Sequence, residues 1–110
     1  MKTYDPRVAA RDAVAVRPDR PATALIHDTP DARLVVFRIA PGQAVPPHTS
    51  ASTVVLHVLE GSGIVTGADG ERRVEAGMVV AYEPREPHGM CAGGEELTLL
   101  AVIAPRPASR

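Results

Sequence analysis

The 110-residue chain has no tryptophan, one phenylalanine (Phe37) and two tyrosines, so it lacks the aromatic platform on which nucleic-acid bases stack. Lys2 is the only lysine among twelve basic residues, which are scattered, opposed by thirteen acids and leave a net charge of −1. No basic stripe emerges, and nucleic acid is excluded as an expected partner. A single cysteine, Cys91, rules out an internal disulfide and makes the reducing cytoplasm the expected compartment. No apolar run approaches membrane-spanning length, and Met1-Lys2-Thr3-Tyr4-Asp5-Pro6-Arg7 leads into no signal-peptide core. Helical periodicity is scarce as well.

Turns and short apolar segments are abundant. Eleven prolines and nine glycines punctuate a chain that is 45% apolar, which predicts one all-β domain of short strands. Residues 1–21 differ from the rest. Val8 to Val16 is alanine-rich and fit for one or two helical turns, but Arg17-Pro18-Asp19-Arg20-Pro21 cannot continue a helix. These residues read as an N-terminal arm, 22–105 as a single barrel, and 106–110 as a loose tail. Strands are expected at Ala22–His27, Arg33–Ala40, Thr53–Glu60, Ile64–Thr66, Glu71–Glu75, Met78–Tyr82, Pro87–Met90 and Leu97–Ala104, about eight in all.

Two of these segments are apolar on both faces. Val54, Leu56 and Val58 oppose Val55, His57 and Leu59, and Leu97, Leu99, Ala101 and Ile103 oppose Leu100 and Val102. A barrel buries one set only, because strand side chains alternate. The outer set therefore calls for a cover, either the arm or a second copy of the chain. A homodimer is the expectation.

Two blocks carry the chemistry. The first runs Pro41-Gly42, five residues, His48, then Val58-Leu59-Glu60-Gly61. The second runs Gly77, six residues, Pro84, then Pro87-His88-Gly89. Together they resemble the two-motif signature of the cupins, over roughly Arg33 to Pro105. The resemblance implies a jelly-roll barrel, the double-stranded β-helix, with motif histidines directed inward onto a metal. Against the usual first motif, G-x5-H-x-H-x3-E-x6-G, the chain keeps Gly42, His48 and Gly61. Ser50 stands at the second histidine and Val54 at the carboxylate. In the second motif Pro87 and His88 are kept, while Ala92 replaces the usual asparagine.

The resemblance implies His48 and His88 as ligands of a divalent transition metal such as Zn, Fe, Mn, Ni or Cu. The other reading of the same pair is a metal-free pocket in which both imidazoles hydrogen-bond to ligand or water. A third ligand has two candidates. Glu86 shares strand parity with His88, and His57 lies in the strand that usually provides the carboxylate, although parity turns it to the opposite face. Ser50 and Tyr82 are the expected proton handlers or orienting groups, each with a structural alternative in turn chemistry or core packing. Phe37, Ile39, Val54, Leu56 and Met90 are expected to line the cavity. Two functions follow: a metal-dependent isomerase, lyase or dioxygenase acting on a small organic molecule, or a non-catalytic small-molecule-binding protein without tightly bound metal. A bare interaction scaffold ranks below both.

Overall fold

A computed structural model describes residues 1–107; positions 108–110 of the expected tail lie outside the described residues. Helix α1 (Pro6–Asp12) precedes β1 (Ala22–Thr29), β2 (Ala32–Ile39), β3 (Ala44–His48), β4 (Thr53–Glu60), β5 (Ser62–Gly67), β6 (Gly70–Glu75), β7 (Val79–Tyr82), β8 (His88–Ala92) and β9 (Leu97–Ala104). The strands form two antiparallel sheets, ordered β1-β2-β9-β4-β7 and β3-β8-β5-β6. This is the all-β jelly roll that the motifs predict.

Alternation explains the core. In β4, Val54, Leu56 and Val58 point inward and are buried, and so are Leu97, Leu99 and Ala101 of β9. They meet Val65, Val74 and Met90 of the opposite sheet, and Tyr82 from β7, in one continuous apolar cluster. Leu59 is buried despite its outward parity, because a bulge between Val58 and Glu60 inserts it as an extra residue against β9.

One strand exceeds the expected eight. β3 contains Pro46 and Pro47, which lack amide donors and read as breakers in sequence. It lies at the edge of its sheet, with β8 as its one strand neighbour, where an absent donor disturbs no second ladder.

The arm forms α1 over Pro6–Asp12, starting two residues before the expected Val8 to Val16 stretch. Asp5 caps it, accepting from the N–H groups of Arg7 and Val8, and Pro6 occupies the first turn, where no amide donor is needed. α1 lies against β1, β2 and β9. Arg38 reaches out of β2 and donates to the carbonyls of Ala10 and Arg11 at 2.8 and 2.7 Å, satisfying C-terminal acceptors of the helix. Val36 and Thr98, outward by register, are buried on this covered side. The cover is partial, because Val79 on the same outer face of the sheet keeps 61% of its accessible surface.

The start of the expected tail is tied down. Arg106 donates its N–H to the Pro30 carbonyl and places its guanidinium 3.5 Å from Asp28, and the Pro105 carbonyl accepts from the Ser52 hydroxyl. Among the described residues no helix is long and apolar enough to cross a membrane.

Candidate functional site

His48 ends β3 and His88 begins β8, and the two are direct cross-strand partners. That pairing depends on a bulge. Val45 lies opposite Met90, and without irregularity the residue opposite His88 would be Pro47; Pro46 and Pro47 together face Gly89, which shifts His48 into register. Gly89 permits this approach, because a Cβ there would lie 2.9 Å from the Pro47 nitrogen. The glycine of the Pro87-His88-Gly89 block thus has a steric purpose.

The two rings meet edge to face, with centroids 4.1 Å apart. Each Nδ1 lies 3.1 Å from a carbonyl two residues back in its own chain, Pro46 for His48 and Glu86 for His88. A carbonyl only accepts, so each contact makes Nδ1 the donor, and in the neutral imidazole this leaves Nε2 with a lone pair. His88 is half-buried, and His48 sits exposed at the rim of the edge strand rather than enclosed in the barrel.

The other expected site residues are committed elsewhere. Tyr82 is buried beside His88, with ring centroids 5.4 Å apart, but its hydroxyl donates to the Thr66 carbonyl at 2.9 Å. Burial, with help from the nearby Glu86 charge, pushes its phenol up to about 12. Its proton is therefore held throughout the neutral range. Ser50 Oγ accepts from the Ser52 N–H at 3.3 Å, an ST-type turn contact. Glu86 is engaged at the rim: its two oxygens accept from the N–H groups of Glu83 and Ala68 at 3.0 and 3.1 Å, tying the β7–β8 connection to the β5–β6 turn. His57 is exposed on the outer face, as its parity requires, away from His48 and His88.

Ile39, Val54, Leu56 and Met90, expected around a cavity, are packed core, and Phe37 lies against them. Two clefts open at the sides of the barrel. One of about 290 Å³ lies between β6 and β7, and one of about 230 Å³ lies beside β1, β2 and β3, with Phe37 in its wall. Neither includes a histidine of the pair.

Sequence reasoning missed the connection that holds this corner together. Arg85 adopts φ +69°, a strained value for a residue with a side chain. Its N–H donates to the Ser50 carbonyl at 2.7 Å, so the segment leading to His88 is anchored to the loop that follows His48. The one available signal was Pro84 and Pro87 bracketing Arg85 and Glu86, which marks a tight connection without revealing its partner.

The donor set falls short of what a transition metal needs. Two imidazole nitrogens are free, Val54 occupies the carboxylate position with an apolar side chain, and the Glu86 carboxylate is held by two amides. Among the described residues no group of three His, Cys, Asp or Glu side chains gathers to hold an ion. The residues present do not fit a complete site for such an ion.

The cupin domain family matches residues 35–103 of the chain. No curated protein matches it. Among solved structures, TT1209 from Thermus thermophilus superposes with a TM-score of 0.86 at 26% identity, over 97% of this chain and 100% of that one. An RmlC-like cupin from Desulfovibrio desulfuricans does so with a TM-score of 0.79 at 28% identity, over 96% and 97% of the two chains. KdgF from a Halomonas species shares the fold, with a TM-score of 0.78 at 22% identity over 86% and 88%.

The site predicts a specific pH response. Burial lowers the His88 pKa below its ordinary 6.5, and the neighbouring His48 charge pulls the same way, against the Glu86 carbonyl and carboxylate. The unfolded chain then binds this proton more tightly than the folded one. His88 therefore costs stability at low pH, and the cost is relieved as pH rises through the folded value up to 6.5. An NMR titration should place the His88 midpoint below 6.5, and His48→Ala should raise it. An unchanged midpoint in that variant would show that the rings do not sense each other.

Proposed function

The chain belongs to the cupin family, and from that premise we propose that it is a small-molecule-binding cupin whose working centre is the His48–His88 pair, used without a tightly held metal. The observation that carries this reading is the pair itself: adjacent imidazoles, each with Nδ1 turned to a backbone carbonyl and Nε2 left free. Neutral Nε2 atoms on two adjacent rings accept hydrogen bonds from a ligand bearing hydroxyl or amide donors. The lone Cys91 is at home in a reducing, cytoplasmic setting.

The same lone pairs support a second reading, a metal-dependent enzyme in which His48 and His88 hold a divalent ion weakly with water. A predicted oxalate decarboxylase from Thermotoga maritima shares the fold at 22% identity. That likeness reaches the fold alone.

Metal content decides between the two. After dialysis against chelator the protein should retain well under one metal per chain, and Zn²⁺ titrated by calorimetry should bind weakly and lose its site in His48→Ala or His88→Ala but not in His57→Ala. Ser50→His with Val54→Glu restores four donors and should tighten Zn²⁺ binding at least about a hundredfold, given how steeply affinity follows ligand number and charge. Stoichiometric metal that survives the chelator would replace the first reading with the second.

We also propose that the chain forms a homodimer through the part of the outer face that α1 leaves open. Support comes from a contiguous strip across three strands, Val79–His57–Leu100 and Ala81–Val55–Val102 by register. Val79 and Ala81 are exposed in one copy and Leu100 and Val102 half-buried, and a second copy would remove this apolar surface from water. Light scattering at micromolar protein should give twice the chain mass, and Val79→Glu, at an exposed position that spares the core, should give the monomer. A monomeric parent chain would contradict the proposal.

A further inference from the structure

We propose that the cleft between β6 and β7 is a second binding site, for a small carboxylate with an apolar body, and that Arg72 is its anchor. The cleft opens where the edges of the two sheets part, and its volume of about 290 Å³ is just below the roughly 300–1,000 Å³ usual for ligand pockets. Val65, Val74, Val80 and Tyr82 form its apolar wall, of which Val65, Val74 and Tyr82 belong to the packed core. That wall is therefore rigid and pre-formed. The site goes beyond the histidine pair: neither His48 nor His88 lines it, while Tyr82 both lines the cleft and stands beside His88.

The charges select the ligand's head group. Arg72 lies two residues from buried Val74 and pairs across the ladder with Val65, so its parity directs it toward the cleft. Its guanidinium contacts Asp69 at 2.6 Å, with both side chains about two-thirds exposed. A pair in that setting contributes little. It engages one nitrogen of a planar fork with five donors, leaving the rest for a second carboxylate. Glu86, the other acid in the lining, already accepts from two backbone amides. Arg73 borders the cleft, forms no ion pair among the described residues and, one residue from Val74, faces the other side of β6 by the same parity, which leaves Arg72 as the anchor. The cleft thus offers unfilled guanidinium donors beside an apolar wall.

The experiment follows amide resonances while titrating three probes that share one body and differ in head group: 3-phenylpropanoate, 3-phenylpropan-1-ol and 3-phenylpropylamine. The acid should give saturable shifts centred on Gly67, Gly70 and Val80 and bind more tightly than the alcohol, with the amine weakest. Arg72→Gln, at an exposed position, should weaken the acid about tenfold and leave the alcohol unchanged, as expected for loss of a charge-assisted hydrogen bond. Met78→Trp, which fills the cleft from its exposed edge, should abolish binding of all three while leaving the remaining spectrum intact. The proposal is overturned by the absence of saturable binding at millimolar probe, by alcohol or amine binding as tightly as acid, or by indifference to Arg72→Gln. The ring resonances of His48 and His88, read in the same samples, report separately on the histidine pair.

Discussion

The fold depends on the seam that β9 makes between β2 and β4. Leu97 and Leu99 are fully buried and Ala101 nearly so, and β9 is hydrogen-bonded along its length to both neighbours. A slip of one residue would turn this inner row outward and bring Leu100 and Val102 inside, so the register is strongly specified. From there placement proceeds strand by strand. β4 on β9 fixes Val54, Val54 fixes Tyr82 across the β4–β7 ladder, and the short connection after Tyr82 delivers His88.

That connection joins the packed core to the histidine pair. Within five residues, 83–87, the backbone N–H of Arg85 holds the loop after His48, the Glu86 carboxylate holds the β5–β6 turn, and the Glu86 carbonyl orients the His88 ring. The positive φ at Arg85 is a local cost of about 1–3 kcal/mol, sustained because those bonds over-determine the loop. Glu86 is better understood as the brace of this corner than as a missing metal ligand. Its two lone-pair-bearing oxygens face amides, and its charge helps to keep the neighbouring Tyr82 phenol protonated.

Much of this was legible in the sequence. The two histidine blocks, through their resemblance to the cupin motifs, implied the jelly roll, and alternation in Thr53–Glu60 separated inward Leu56 from outward His57. What escaped was whatever depends on contacts between distant segments. β3 was hidden because Pro46 and Pro47 break strands everywhere except at an edge, and edge position is a property of the assembled sheet. The bulge that aligns His48 with His88 left its trace only in Gly89, whose role needs Pro47 in place to be recognised. The packing of the interior is likewise a property of the assembled sheets: Ile39, Val54, Leu56 and Met90 belong to the buried core cluster, and two clefts open at the sides.

The proposed binding centre requires unprotonated Nε2 atoms on the two adjacent rings. Long-range proton–nitrogen correlation of the imidazole rings at neutral pH reads this directly. Both His48 and His88 should be Nδ1–H tautomers, with a cross-relaxation contact between their rings. An Nε2–H tautomer on either ring, or rings with no contact, would contradict it.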